Sequence, residues 1–401
     1  MQRLPFLVML VAWLVTGCAA TATPLSPAQA TRSAPPSRGS EPTPPSAQTH
    51  AYPFSPAPMP GTTPAGARAL QARPKVALLL PLQSKTFGLA ANLVEQGFLA
   101  AYTQDTGAAF VAGRSPVRVY PTDADVSHIL AAYQQAVQDG NEVIVGPLTR
   151  DAVTALAASG QVTVPTLALN VADRDASPNA PLYCFSLSTD AEARAVARLA
   201  YAPNRREAAI ISSGQPLARR AAAAFAQSWT AAGGRIAARY RPASSPGALV
   251  ALGRAIAQSP PDVIFLADGL GRAQLVRPYL PVSARIYATS QINSGQAETT
   301  EDFNLEGVRF VDMPWLLQPN APSVTIYPRP ANAQTADQER LYALGIDAYR
   351  LAQMLASGSP TELHLAGVTG DITLRGHRVV RHLLQAQFQQ GQAVVLGTPA
   401  P

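Results

Sequence analysis

The chain has 401 residues, of which 47% are hydrophobic and 14% charged, and a formal net charge of +6. Five basic residues and one acidic residue precede residue 75, so the remaining part, with 26 basic and 24 acidic residues, carries only about +2. No run of Lys and Arg alternates with aromatic residues, and this argues against nucleic acid as a partner.

Residues 1–17 have the order of a secretory signal peptide. Arg3 supplies a positive charge, and a short apolar run at 6–15 follows it. About ten apolar residues are too few to cross a ~30 Å hydrocarbon core. The run then ends in Val-Thr-Gly-Cys, which resembles the bacterial lipobox and implies that Cys18 is acylated, for example with palmitate. Ala19 in place of an aspartate favours the outer membrane, facing the periplasm; an ordinary signal followed by a chance cysteine is the alternative.

Residues 18–74 have a different composition from the rest of the chain. Twelve of the 37 prolines lie at 19–73, together with many Ser, Thr and Ala residues. Such a segment buries too little apolar surface to offset its ordering entropy, so it is predicted to be a disordered tether. A flexible tether of this length spans ~40 Å and holds the folded part away from the lipid anchor.

From residue 75 onward, apolar runs alternate with amphipathic segments. The run 75–82 is bounded by prolines and predicts a strand buried on both faces, and 87–103 has the three- and four-residue apolar spacing of a helix. Such alternation predicts parallel βαβ units. The pattern continues with strands at 117–123, 142–147 and 163–170 and helices at 126–138 and 151–158.

A second set of the same design begins after Ser188. Thr189 and Glu192 have the spacing of a capping box for a helix that ends near Tyr201. The remaining predicted elements are strands at 207–213, 236–242, 262–268, 284–290 and 306–317, helices at 217–232, 247–258, 273–276 and 336–355, and a hairpin around Gly376.

These elements predict an α/β protein with two doubly wound parallel-sheet lobes joined by multiple crossovers. The whole two-lobed domain is expected to cover residues 75–396. Its N-lobe is predicted from 75–187 and 318–365, and its C-lobe from 188–317 and 366–396.

Several segments carry a family resemblance. The start KVALLLPLQSKTFGLAANLVEQGFLAAY and the later VIVGPLTRDAV and VPTLALN are similar to branched-chain amino-acid binding proteins, which implies a periplasmic-binding-protein type 1 fold. The segments IYATSQIN, EGVRFVDMPWLL, YALGIDAYRLAQML and GVTGDITL together resemble the C-terminal domain of the penicillin-binding-protein activators of the LppC type. Members with that role carry a helical-repeat domain ahead of this one, whereas here the tether stands in its place.

The sequence offers no catalytic, metal or cofactor site. None of the five histidines forms an H-E-x-x-H motif, and His377 and His382 lie among arginines, where solvated side chains are more common than metal ligands. Neither a G-x-S-x-G elbow nor a phosphate-binding P-loop motif is present. We therefore expect a protein that is not an enzyme and carries neither cofactor nor metal.

A small-ligand site is expected where the strands of the N-lobe end, because ligands of open α/β sheets lie beyond the carboxyl ends of the strands. Thr149 follows the turn Gly146-Pro147 and would offer a hydroxyl to an anion, or would simply cap a helix. The residues predicted to line this site are Gln83, Ser84, Asp123, Thr149 and Asn170.

A protein partner would need an exposed patch instead. The candidates are Trp315, Tyr327 and Arg329, since Trp, Tyr and Arg are enriched at interface hot spots. A packed strand followed by a surface loop is the alternative for Trp315.

The resemblance implies a non-catalytic outer-membrane lipoprotein that binds and activates a peptidoglycan synthase, that is, a penicillin-binding protein. The alternative is a solute-binding lipoprotein for a small amino-acid-like or cell-wall-derived ligand.

Overall fold

The computed structural model describes residues 73–397 except 175–176, 178, 297–299, 332 and 359–361. All of them belong to one compact unit, Arg68–Pro401. The predicted signal peptide, the lipobox Cys18 and most of the predicted tether lie outside the described residues. Among the helices described, none is both long and apolar enough to cross a membrane.

Strands of the described part form two sheets. The first has the strand order β11-β12-β13-β5-β4-β3-β1-β2, and the second has the order β15-β14-β10-β9-β8-β6-β7. The strands are β1 (Val76–Leu80), β2 (Val117–Pro121), β3 (Val143–Val145), β4 (Thr166–Ala168), β5 (Leu182–Cys184), β6 (Glu207–Ile211), β7 (Arg235–Tyr240), β8 (Val263–Leu266), β9 (Ile286–Ala288), β10 (Arg309–Asp312), β11 (His364–Gly367), β12 (Gly370–Arg375), β13 (Arg378–His382), β14 (Leu384–Gln389) and β15 (Gln392–Val395).

Helices cover both sheets. They are α1 (Gly88–Thr106), α2 (Val126–Gln138), α3 (Arg150–Ala158), α4 (Thr189–Ala200), α5 (Pro216–Ala231), α6 (Pro246–Gln258), α7 (Leu270–Val276), α8 (Pro314–Leu317), α9 (Pro322–Thr325) and α10 (Ala336–Ala356). Short 3-10 turns lie at Arg277–Tyr279, Ser290–Ile292 and Thr300–Leu305.

Burial on both faces of the sheets explains why their strands are continuous apolar runs in the sequence. All five residues of β1 are buried, because helices pack on both faces of its parallel sheet. One face packs against α1 and α10, and the opposite face packs against α2 and α3. The second sheet has two apolar clusters of its own. The prediction of two α/β lobes is therefore confirmed.

The closest helix pair in the first lobe is α1 with α10. At Gly97 a Cβ atom would lie 1.9 Å from the Tyr342 carbonyl oxygen, and at Gly345 it would lie 2.0 Å from the Val94 carbonyl oxygen. Each helix thus places a glycine against the backbone of the other. The pair joins the start of the fold to a helix more than two hundred residues later.

The chain passes between the lobes three times, after β5, after β10 and after β13. We predicted residues 366–396 for the C-lobe, and this is wrong for part of the segment. β12 and β13 belong to the first sheet, because Arg378 of β13 pairs in parallel with Cys184 of β5. Only β14 and β15 reach the second sheet, where β14 pairs antiparallel with β10.

Candidate functional site

The turn after β3 joins the end of a strand to the start of a helix, as at many small-ligand sites. Gly146 has φ +114°, and a Cβ there would lie 2.0 Å from the Leu79 carbonyl oxygen, so the turn requires glycine. Thr149 then occupies the N-cap position of α3, as predicted, but its side chain makes no capping hydrogen bond. The hydroxyl is therefore not used to start the helix.

Two other residues of the predicted ligand site fasten turns. The Ser84 hydroxyl oxygen accepts from the backbone N–H groups of Thr86 (3.3 Å) and Phe87 (3.1 Å) just before α1. Asn170 donates from Nδ2 to the Leu148 carbonyl oxygen, and its Oδ1 accepts from the next backbone N–H; both distances are 2.9 Å. These polar atoms already have partners within the fold.

Asp123 is also held locally. Its carboxylate accepts from the Asp125 backbone N–H and contacts His128 Nδ1, both at 2.9 Å. The backbone hydrogen bond, followed by the His128 contact, lowers the pKa of Asp123. Gln83 is exposed, and its backbone N–H donates to the Thr122 carbonyl oxygen at 2.9 Å. Within the described chain, Gln83 and Thr149 are thus the two candidates whose side chains make no hydrogen bond.

The facing ends of the second sheet show the same pattern. Asp268 follows β8 and is buried, and its carboxylate accepts from both the backbone N–H and the hydroxyl of Ser213 after β6. Asp268 thus holds the turn after β6, as Ser84 and Asn170 hold turns of the first lobe.

The predicted partner patch is not an exposed surface. Trp315 is fully buried and Tyr327 is 8% exposed. The indole N–H of Trp315 donates to the Glu339 carboxylate, and the Arg329 guanidinium carbon lies 4.1 Å from the Trp315 ring centroid. The expected exposure is not found for two of the three residues: the cation–π stack and the indole hydrogen bond hold Trp315 inside the first lobe, and Tyr327 belongs to the apolar cluster of that lobe. Arg329 alone among the three stays partly exposed.

A buried polar network crosses between the lobes. Arg340 of α10 pairs with Asp312 of β10 at 2.7 Å and donates to the backbone carbonyls of Ser290 (2.9 Å) and Asn293 (3.2 Å). Burial lowers the pKa of Arg340, but the Asp312 carboxylate outweighs it, so the pKa is raised above its ordinary value. This contact ties the first lobe to the second.

A second buried ion pair, Arg381–Glu192, lies beside the segments that cross between the lobes. Arg381 of β13 donates to the backbone carbonyls of Ser186 (3.0 Å) and Thr369 (3.2 Å), and its guanidinium lies 3.7 Å from the Glu192 carboxylate of α4. Glu192 also accepts from the Ser290 hydroxyl at 2.7 Å. Burial raises the pKa of Glu192, while Arg381 opposes this rise.

A basic groove, which the sequence analysis did not predict, runs between α4 and the β12–β13 hairpin. It consists of two adjoining cavities of about 570 Å³ and 230 Å³. Arg150 lines it, but the five predicted ligand-site residues do not. The sequence feature that indicates this groove is the arginine-rich segment LRGHRVVRH (374–382). The other residues that line the groove come from distant parts of the sequence. No group of three or more potential metal ligands occurs in the part of the chain that the structure describes.

Solved structures share this architecture. A putative branched-chain amino acid ABC transporter protein from Chromobacterium violaceum is 37% identical with a TM-score of 0.66, over 79% of this chain and 100% of that one. The C-domain of LpoA from Haemophilus influenzae, described as a regulator of PBP1A, is 24% identical with a TM-score of 0.64, over 80% of this chain and 99% of that one. The expected periplasmic-binding-protein type 1 fold is confirmed.

Curated relatives are named penicillin-binding protein activator LpoA. The protein of Yersinia pseudotuberculosis is 27% identical across 80% of this chain, and that of Vibrio vulnificus is 27% identical across 76%. The matches cover 61% and 55% of those proteins, so the chain spans little more than half of their length.

The family comparison covers nearly all of the described fold. The model of the LppC putative lipoprotein family matches residues 65–245 and 248–391, which include all strands of the first sheet and all but the last strand of the second. That range far exceeds half of the chain, and the chain therefore belongs to the LppC putative lipoprotein family.

Proposed function

We propose that this protein is a non-catalytic lipoprotein that binds a penicillin-binding protein and activates its peptidoglycan synthesis. The observation that carries the proposal is the family membership, together with relatives named as penicillin-binding protein activators that match about four fifths of the chain. An activator of this kind works through a docking surface and needs no reacting groups of its own.

The anchor of the proposed activator is Cys18. The description of the LppC family as putative lipoproteins and the resemblance of the segment ending at Cys18 to a lipobox support this proposal. We propose that the acyl chains hold the protein in the outer membrane with the folded domain in the periplasm. The tether would then let that domain reach a synthase some distance away.

The arrangement of the lobes supports an activator over a solute receptor. Receptors that close on a solute need a hinge whose residues absorb large backbone changes. In this protein the buried pairs Arg340–Asp312 and Arg381–Glu192 join elements on both sides of the crossovers. A lobe movement that broke these pairs would leave buried charges unpaired, at a high cost in free energy.

A reconstituted synthase assay tests the proposal. The full chain, purified in detergent, is added to a bifunctional penicillin-binding protein of the same bacterium, and the crosslinked fraction of the glycan product is measured. We expect more crosslinking than with the synthase alone and co-purification of the two proteins. A periplasmic amino-acid-binding protein of the same fold is the matched control. Unchanged crosslinking together with no co-purification would reject the activator function.

A solute-binding function is the second candidate, and the 37% identity to a putative branched-chain amino acid transporter protein favours it. The Thr149 hydroxyl makes no capping bond, and Thr149 stands at the N-terminus of α3, an end of a helix that favours carboxylates. Calorimetry with leucine, isoleucine, valine and cell-wall peptides separates the candidates. A solute receptor should release heat on binding and lose it in Thr149→Ala, whereas an activator without a solute site gives no heat in either form.

A further inference from the structure

The basic groove between α4 and the β12–β13 hairpin, here called the arginine groove, has a charge balance unlike the rest of the domain. Two carboxylates, Asp190 and Glu192, are among its lining residues. Its six lining arginines are Arg150, Arg194, Arg198, Arg375, Arg378 and Arg381. Outside the groove the folded part is close to neutral, so positive charge is concentrated here.

The acidic residues of the groove are already engaged. Asp190 accepts from Arg220, which lies outside the groove, at 3.1 Å, and Glu192 faces Arg381. Next to the groove, Asp173 pairs with Arg150 at 2.8 Å. Arg194, Arg198 and Arg375 take no part in these ion pairs.

Three exposed arginines therefore determine the potential of the groove. Within the described residues, no carboxylate lies within 4 Å of the guanidinium groups of Arg194, Arg198 or Arg375. Arg194 and Arg198 are four residues apart on α4 and project from the same face of that helix. Arg375 lies across the groove at the end of β12.

The floor of the groove is apolar. Val171, Ala195, Val379 and Leu383 line it and are each partly exposed. A small-ligand pocket of this volume is lined predominantly by apolar and aromatic side chains with few polar groups. Here charged side chains from three separate elements line the groove together with the apolar residues, an arrangement that suits an extended chain carrying several separate negative charges.

We propose that the arginine groove docks an acidic peptide segment of a protein partner, with carboxylates on the arginines and small apolar side chains on the floor. Guanidinium groups bind carboxylates through paired, charge-assisted hydrogen bonds, and such pairs give both geometry and attraction. The inference rests on the proposed function for its first partner, the penicillin-binding protein. The concave shape favours a peptide over a flat membrane surface, which makes anionic lipid an outcome of the test.

Charge reversal on α4 is the main experiment. The double variant Arg194→Glu/Arg198→Glu of the full chain is compared with Arg219→Glu/Arg239→Glu, which makes the same charge change on exposed arginines of a separate cavity. Arg375→Glu at the hairpin is a second groove variant, in case the helix variant does not fold. Circular dichroism and thermal unfolding verify that each variant is folded.

Two probes are used in fluorescence anisotropy and pull-down. One is a short labelled peptide of alternating Glu and Val, with its Gln–Val counterpart; the other is the purified synthase. We expect the groove variants to lose about tenfold in affinity for both probes and the control variant to lose less than about twofold. Binding of the Glu–Val peptide should also weaken as salt rises, because screening shortens the range of the charges to ~10 Å at 0.1 M.

Three results would overturn the proposal: equal losses in groove and control variants, equal affinity for the Glu–Val and Gln–Val peptides, or binding to phosphatidylglycerol vesicles but not to the acidic peptide. The groove inference and the proposed function can be tested separately. If the groove variants still bind and activate the synthase fully, the groove inference fails and the proposed function stands. If the unaltered protein ignores the synthase but binds the acidic peptide through the groove, the proposed function fails and the groove assignment stands.

Discussion

Replacing Arg340 with methionine is expected to lower the free energy of unfolding by about 3–5 kcal/mol. The Arg340 side chain is 5% exposed, and its partner Asp312 is 1% exposed. Methionine fills much of the same space but leaves the buried Asp312 carboxylate without its ion-pair partner. It also removes the donor for the Ser290 and Asn293 carbonyls. Guanidinium denaturation followed by tryptophan fluorescence measures the loss.

The matched control uses the other partner of the same arginine. Asp337 pairs with Arg340 at 2.7 Å but is 68% exposed, so Asp337→Asn is expected to cost less than about 1 kcal/mol. Arg340→Met removes both ion pairs of Arg340, whereas Asp337→Asn removes only the exposed one, so the difference between the two losses reports the buried pair with Asp312. A loss below about 1 kcal/mol in the methionine variant would mean that the interlobe pair contributes little to the stability of the fold.

The Arg340–Asp312 pair lies between the lobes, so replacing Arg340 is expected to affect both of them. Arg340 belongs to a helix of the first lobe, and Asp312 belongs to a strand of the second sheet. Asp312 also accepts from the Asn293 side-chain amide at 2.9 Å. Removing the arginine is therefore expected to weaken the connection between the lobes as well as the packing of the first lobe.

Much of the fold could be predicted because its apolar periodicity is local. The run 75–82 and the helix 336–355 were predicted within about two residues of β1 and α10. Their patterns follow from which faces are buried, and such patterns appear in a single segment of sequence. The three-residue strand β5 was not among the predicted strands.

The placement of the C-terminal hairpin was not predictable in the same way. The alternation on either side of Gly376 indicates two antiparallel strands, and Leu374 does pair with Val379. Which sheet the hairpin joins depends on a contact with β5, almost two hundred residues earlier. A local pattern carries no information about that partner.

The candidate sites, too, depend on contacts that a local sequence pattern does not reveal. Thr149 was correctly placed at the start of α3, but the missing capping bond is a property of the side-chain conformation. Trp315 looked like an interface residue because composition does not reveal burial, and its stack with Arg329 forms only in the fold. The arginine groove combines Arg150 with lining residues from 171–172, 182–198 and 375–383, which become neighbours only when the first sheet is complete.

Replacing Gly345 with alanine is expected to lower the free energy of unfolding by about 2–3 kcal/mol. The new Cβ would lie 2.0 Å from the Val94 carbonyl oxygen and 2.7 Å from the Phe98 backbone nitrogen. These are backbone atoms of α1, so the helices themselves must separate, and overpacking of this kind costs about 1–3 kcal/mol or more. We expect this loss even though alanine is more favourable than glycine inside a helix by about 1 kcal/mol. Thermal and guanidinium unfolding both report the change.

Gly247 provides the matched control for Gly345. It also lies in a helix, α6, but no atom lies within 4 Å of a Cβ added there. Gly247→Ala should therefore be neutral or raise the free energy of unfolding by up to about 1 kcal/mol, since only the flexibility of the unfolded chain is reduced. Equal stability of the two variants would contradict a close α1–α10 contact. Opposite signs would show that this backbone contact, which links the first helix of the domain to its longest one, sets the packing of the first lobe.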